Sequence, residues 1–354
     1  MILSPRRLRI AVPPDLCTLS TTTGVGRIWV RTIAALGPIA DVRSRDPARG
    51  GRRGRPDVWL AESSHEAFAV DRPVVTMVHE AAWGDPQLRA MLDPAFLAAL
   101  EDRTARAVHA AAAVLTNSAS TRTQVIDTYG GAPERVHVAY PGVDHGVFYP
   151  RPTGLPAIVA AHGGTGPYVM FAASIHPRKN LAALRAAIAG LARRGFPHQL
   201  VVVPAPAYDR DSAALEVELL GPIPGAAGRM VRLPFPLTET ELAEVMAGAA
   251  VFCLPSFMEG LGIPVLEAMA CGAPPVVSDR GALPELVAGT GVVVAPEADA
   301  LEEALAALLA DEPKRAALGE AAHRRAAAFT WASTARVWLE ACTQAVGASS
   351  PPVH

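Results

Sequence analysis

Residues 254–278, LPSFMEGLGIPVLEAMACGAPPVVS, restrict the folds open to this chain more than any other stretch. The apolar run 251–254 that leads into them suits a buried strand. Gly260 and Gly262 permit a tight turn, Pro264 suits the first turn of a helix, and Gly272 is where that helix should stop. Strand, turn, short helix, turn and strand then follow in order. Glu259 and Glu267 fall on either side of the helix N-terminus. Amides of the turn 260–262, reinforced by the helix dipole, would bind an anion such as a diphosphate, and the two glutamates remain to accept hydrogen bonds from hydroxyls. Such a stretch suits a sugar nucleotide. The plainer alternative is a βαβ unit of any doubly wound sheet.

The run E-G-L-G-I-P-V-L-E-A-M-A-C-G resembles the signature of glycosyltransferase family 4, retaining enzymes of the GT-B fold, and the spacing of Glu259 and Glu267 matches the family's E-x7-E motif. The resemblance implies Glu259 at the donor sugar and Glu267 at the ribose. It places the amides of Gly260, Leu261 and Gly262 at the diphosphate.

A chain of 354 residues suits two domains of ordinary size, each with its own core. The net charge of −2 creates no overall field for nucleic acid or an anionic membrane, so no nucleic-acid partner is expected. No apolar run is long enough to span a bilayer, and residues 1–9 lack the apolar core of a signal peptide. The cytoplasm is the expected location. Cys17, Cys253, Cys271 and Cys342 lack metal-ligand spacing and read as reduced packing residues.

The first strand is expected at 8–12, followed by a Ser/Thr-rich segment and a helix opened by Gly24 and Gly26 that carries Ile28, Val30, Ile33 and Leu36. A glycine turn here can serve the chain reversal alone. Its position after the first strand resembles the family's glycine loop, which implies a donor-binding role for Gly24 and Gly26. Residues 43–55, RSRDPARGGRRGR, are too polar for core and read as a surface loop. It is either a solvated insertion or a patch for an anionic acceptor or phospholipid headgroups, which would bring peripheral contact at the inner face of the membrane.

Further strands are expected at 57–60 and 74–78, the second ending at His79. The carboxyl end of a parallel strand is where open α/β sheets bind ligands. The resemblance implies that the His79 imidazole contacts the donor sugar near the reacting carbon. His65, His109, His137 and His162 have no such context and read as structural, while Trp83 could line the acceptor side or pack its own loop. A helix at 94–111, a strand at 112–116 and a helix ending near Gly130 follow. Residues 133–147 resemble the segment that closes the family's N-terminal domain, and residues 150–166, rich in Pro, Gly and Ala, read as a linker.

A strand at 168–172 opens the second domain and leads to Arg178 and Lys179 before a helix. Cations there oppose the helix dipole, which points to an anion nearby. They match the family's basic pair, which implies that they neutralise the diphosphate. Ala172 and Ala173 stand where the family usually has glycine. After a strand at 200–203, Pro204-Ala205-Pro206 replaces the expected glycines. Asp209 and Asp211 read as an Asp-rich turn, not as a metal motif. Residues 231–236 resemble the strand and loop beside the nucleobase, 281–286 the following turn and helix, and 291–296 the last strand. Two Ala-rich helices are expected between 299 and 329 and a terminal helix from 331 to 345.

The fold class implied is α/β of GT-B architecture, two Rossmann-like domains with parallel sheets facing an inter-domain cleft. The boundaries are 1–150 for an acceptor-side domain, with 336–354 crossing back onto it, a linker at 151–166, and 167–335 for the nucleotide-sugar donor domain. The implied reaction moves a sugar from a nucleoside diphosphate sugar to the hydroxyl of a carbohydrate or lipid-linked acceptor, with retention and with neither metal nor cofactor. His79 and Glu259 would be the catalytic groups, and Arg178 and Lys179 would hold the diphosphate. The alternatives are a catalytically inactive nucleotide-sugar-binding subunit and a dinucleotide-dependent oxidoreductase. For the latter, Gly24-Val25-Gly26 is not continued as G-x-G-x-x-G.

Overall fold

The computed structural model describes residues 7–47, 55–63, 70–81, 86–151, 154–205 and 212–348. His65, Trp83, Asp209, Asp211 and most of the arginine-rich loop lie outside the described residues. The chain divides into two compact units, one of residues 1–142 with 329–354 and one of residues 143–328.

The first unit is built on a parallel sheet of β1 (Arg9–Val12), β2 (Asp41–Ser44), β3 (Val58–Glu62), β4 (Val74–Val78), β5 (Ala113–Thr116) and β6 (Val136–Val138), in the order β2-β1-β3-β4-β5-β6. The continuous apolar runs form the central strands, and β3 and β5 are buried along their whole length, as parallel strands covered on both faces must be. β2 differs. Its sequence DVRS carries no such run, because it lies at the sheet edge with Arg43 and Ser44 exposed. The surface loop expected from Arg43 onward therefore begins only after this strand.

Side-chain caps start the crossover helices. Thr23 accepts from Gly26 N at 3.1 Å at the head of Gly24–Leu36, Asp93 from Phe96 N at 2.7 Å at Pro94–Ala110, and Ser118 from Thr121 N at 2.9 Å at Ala119–Tyr129. Gly130, at φ 65°, ends the last of these in the left-handed conformation. The terminal helix Trp331–Ala348 returns to this unit with Thr334, Trp338, Ala341 and Ala345 on its buried stripe. Trp338 meets Trp29 of helix Gly24–Leu36 edge-to-face, with ring centroids 4.9 Å apart.

The second unit carries β7 (Tyr168–Ser174), β8 (Gln199–Ala205), β9 (Met230–Arg232), β10 (Val251–Leu254), β11 (Pro275–Ser278) and β12 (Val292–Val294), all parallel in the order β12-β11-β10-β7-β8-β9. β8 runs on through Pro204, which the sequence placed beyond the strand. Its pairing with β9 stops at Val202, so Pro204 has a strand neighbour on one side only and its missing N–H costs no ladder bond there. Part of the expected linker is ordered structure of this unit. Ala157–Ala161 is a short helix whose Val159 is buried. Cys253, Cys271 and Cys342 are buried and unpaired, and burial pushes the Cys271 thiol up to about 12.

Candidate functional site

In the second unit the chain lays β8 and β9 to one side of β7 and then returns to place β10, β11 and β12 on the other. Such a reversal leaves a crevice outside the carboxyl ends of the two strands that flank it, here β7 and β10. The segments leaving these strands carry most of the candidate residues. After β7 the chain makes a 3₁₀ turn, Pro177–Lys179, and Asn180 follows at φ 55°. After β10 it runs through residues 255–262 into helix Ile263–Ala270. The two segments are tied together: Phe257 N donates to Arg178 O at 2.9 Å, Arg178 Nη1 to Met258 O at 2.8 Å, and Asn180 Nδ2 to Pro255 O at 3.2 Å.

These ties bring Lys179 against Glu259. Lys179 Nζ lies 2.6 Å from Glu259 Oε1, and Ser256 Oγ donates to the same oxygen at 2.7 Å. The side chains are only 11% and 7% exposed. Burial alone would push the Glu259 carboxyl up, but the Lys179 and Arg178 charges and the bonds from Lys179 and Ser256 outweigh it and hold it below its ordinary range. Glu259 is thus a carboxylate at neutral pH, paired in a low-dielectric setting. Arg178 has its own place: the residue is buried and its guanidinium supports the Met258 carbonyl, one residue before Glu259.

The backbone of Glu259 is held from the far side by the turn after β11. Ala282 N donates to Glu259 O at 3.1 Å. Gly281 sits at φ 58°, and a Cβ there would lie 2.7 Å from Glu259 O and 2.8 Å from its N. Gly262 precedes the helix at φ 95°, and no side chain caps that N-terminus. Every residue of Ile263–Ala270 except Pro264 is buried, Glu267 included, and the helix stops before Gly272 at φ 79°. The structure therefore gathers Arg178, Lys179, Glu259, Gly260, Leu261 and Gly262 around one switch point, with Glu267 on the helix that they lead into.

Gly24, Gly26 and His79 belong to the first unit. Gly24 and Gly26 lie inside the first helical turn, not in a loop before it, because Thr23 caps the helix. A Cβ on Gly26 would run into the Ser20 carbonyl, so close approach of the preceding loop requires glycine there. His79 follows β4 directly. Its Nε2 is 2.8 Å from Glu62 Oε2, which also accepts from Trp29 Nε1 at 2.8 Å. Burial opposes charge on His79, yet Glu62 and Glu80 raise its pKa above the ordinary imidazole value. His109 and His162 each bond a carbonyl one helical turn earlier, in keeping with structural roles.

Three residues of these surroundings are given no role in the sequence reading, Glu62, Trp29 and Ser256, and Gly281 appears there only as the first residue of the turn and helix 281–286. Glu62 offered one signal, an acidic residue ending the otherwise apolar run VWLAE, and a strand drawn only to residue 60 hides it. Among the described residues no group of three or more His, Cys, Asp or Glu is placed to hold a metal ion, and no helix is long and apolar enough to cross a membrane.

Residues 28–147 match the family described as Glycosyltransferase Family 4, and residues 158–325 that described as Glycosyl transferases group 1. An alpha-maltose-1-phosphate synthase of Mycolicibacterium smegmatis is 36% identical over 249 residues, 66% of this chain and 63% of that protein. A D-inositol 3-phosphate glycosyltransferase of Kineococcus radiotolerans is 34% identical over 260 residues, 68% of this chain and 58% of that protein. The chain thus spans less than two thirds of the length of these curated relatives. Among solved structures, a sucrose-phosphate synthase from Thermosynechococcus elongatus superposes with a TM-score of 0.74 at 19% identity, covering 97% of this chain and 100% of that one. Anabaena HepE in complex with UDP and glucose gives 0.69 at 19% identity, covering 94% and 98%. This likeness shows the GT-B fold. With one family match on the strands and helices of each unit, the chain belongs to glycosyltransferase family 4.

Proposed function

We propose that this chain is a retaining glycosyltransferase that moves a sugar from a nucleoside diphosphate sugar to an acceptor hydroxyl. The observation that carries the reading is the buried Lys179–Glu259 pair at the carboxyl ends of β7 and β10, beside a helix N-terminus that no side chain caps. Lys179 and the amides of Gly260, Leu261 and Gly262 hold the diphosphate, Arg178 stiffens the loop that presents them, Glu267 takes the ribose, and Glu259 takes a hydroxyl of the donor sugar. Gly24 and Gly26 serve donor binding, and His79 addresses the sugar near its anomeric carbon.

In the reaction the bond from the anomeric carbon to the diphosphate breaks, a bond from the acceptor oxygen forms on the same face, and the acceptor proton passes to the departing phosphate. Charge grows on the diphosphate as that bond breaks, so a fixed cation and oriented amides lower the barrier. Lys179 supplies the neutralisation that a metal would otherwise give, and no resident metal or cofactor is needed. One relative is named alpha-maltose-1-phosphate synthase and another D-inositol 3-phosphate glycosyltransferase, and HepE is described in complex with UDP and glucose. A uridine or other nucleoside diphosphate donor and a phosphorylated sugar or cyclitol acceptor are the classes to try first.

The test is a matrix of nucleoside diphosphate sugars against such acceptors, run with excess chelator and followed by nucleoside diphosphate release and by NMR of the product's anomeric proton. Turnover with the donor's anomeric configuration kept is the expected result. An inverted product, or activity that returns only with added magnesium or manganese, would overturn the retaining or the metal-independent part of the reading.

A further inference from the structure

The buried polar chain behind His79 does more than fill the first unit's core. Glu62 ends β3, His79 follows the end of β4, and the two strands are adjacent, with Glu62 in register with Met77. Glu62 Oε2 accepts the indole N–H of Trp29 at 2.8 Å. Its other oxygen accepts Ser63 N at 3.2 Å and Ser63 Oγ at 3.4 Å. An indole nitrogen and a backbone amide can only donate, so both carboxylate oxygens are engaged as acceptors. The nitrogen that stands 2.8 Å from Oε2, His79 Nε2, must then be the donor. Nδ1 is left over. Among the described residues it is buried and has no hydrogen-bond partner, an uncommon condition for a buried polar atom and one that a ligand hydroxyl would relieve.

We propose that Glu62 is a positioning residue for His79: it accepts the Nε2 proton, fixes the imidazole's tautomer and ring orientation, and leaves Nδ1 as the nitrogen offered to the donor sugar. The proposal deepens the reading of His79 as a group of the transfer site and rests on it. Trp29 is the second anchor. Its indole is clamped edge-on by Trp338 of the terminal helix, so the carboxylate that grips His79 is itself held by two elements. Neutral His79 accepts a hydrogen bond from a sugar hydroxyl at Nδ1. When Nδ1 takes a proton the imidazolium is stabilised by Glu62, with Glu80 the other carboxylate that favours its charge.

The test uses the full chain. Long-range ¹H–¹⁵N NMR of the wild-type protein at high pH reads the tautomer directly, and a protonated Nε2 with an unprotonated Nδ1 is expected. Glu62→Gln keeps the shape but removes the charge and, since an amide both donates and accepts, the demand that Nε2 donate. The variant should lower the His79 titration midpoint, reduce kcat about tenfold or more with KM little changed, and regain part of that loss as Glu62→Asp. A wild-type spectrum with the proton on Nδ1 would overturn the proposal whether or not any variant folds. An unshifted His79 midpoint in Glu62→Gln would do the same. His79→Ala separates the two levels: if it turns over normally, the transfer role of His79 fails, while the wild-type tautomer still reports whether Glu62 holds the ring.

Discussion

Lys179 Nζ and Glu259 Oε1 stand 2.6 Å apart, with both side chains almost withdrawn from solvent and with Ser256 Oγ on the same carboxylate oxygen. A cation and an anion desolvated side by side make the pair costly to leave half-formed. The pair stands at the reversal of strand order in a parallel sheet, where open α/β sheets bind ligands, and the proposed function gives it a diphosphate and a sugar hydroxyl to address. On that proposal Lys179 turns its charge toward the diphosphate while Glu259 turns to the hydroxyl, so that the ligand would take over what each loses from the other.

Lys179→Ala follows from that arrangement in two ways. Nucleoside diphosphate binding should weaken by about 1.5–3 kcal/mol, the scale of a hydrogen bond to a charged group. Stability should fall by about 3–5 kcal/mol, because Glu259 is left buried without its partner. Adding Glu259→Gln to Lys179→Ala should recover much of the stability and none of the affinity. Calorimetric titration and chemical denaturation of the wild type and these two variants check both halves.

The two glutamates should separate kinetically. Glu259→Gln removes an interaction that strengthens in the transition state, so kcat should fall by about 100-fold or more with little change in affinity for the bare diphosphate. Glu267→Gln removes binding that is uniform along the reaction, so KM and the dissociation constant of the bare nucleotide should rise together. Steady-state kinetics with parallel nucleotide titrations checks the pattern, and identical effects of the two substitutions would refute it.

Gly281 is the residue whose replacement should harm the site without touching a ligand. Ala at φ 58° would place its Cβ 2.7 Å from Glu259 O, a backbone atom that cannot swing aside. Gly281→Ala should therefore displace Glu259 and lower kcat by about 100-fold, the scale of a 1 Å misplacement. Binding of free nucleoside should change little. Kinetics beside nucleoside titration tests this.

The depressed Glu259 carboxyl also sets a pH dependence. A group whose pKa falls on folding adds stability that is present above its ordinary value of 4.5 and is lost as pH drops through the lower folded value. The difference in unfolding free energy between the wild type and Glu259→Gln should be flat from neutral pH down to about that ordinary value and shrink on further acidification. Urea denaturation across that range measures it. A difference that grows toward acid would contradict the ion pair.

The sequence showed the frame of the second unit well because its signals are local. The run 251–254, Gly262 at a positive φ, Pro264 in a first turn and Gly272 after a last one each report a backbone demand that few other residues meet. Lys179 and Arg178 were visible as cations at a helix start, but their separate fates were not. Arg178 takes the Met258 carbonyl and Lys179 the Glu259 carboxylate, and both partners lie 80 residues away. β2 escaped because an edge strand needs no apolar run, and Glu62 because its meaning lies in Trp29 and His79, which tertiary pairing brings to it. Gly281 was legible as the start of a turn, but its tie to the site was not, for the same reason. Its constraint is the backbone of Glu259.

If the crevice outside β7 and β10 is built for a nucleoside diphosphate, calorimetric titration of the wild type with matched nucleoside mono- and diphosphates will read it out. At least one diphosphate should bind about tenfold or more tighter than its monophosphate, and Lys179→Ala should erase the difference. Equal affinities for the two in the wild type, or a preference that survives in Lys179→Ala, would contradict it.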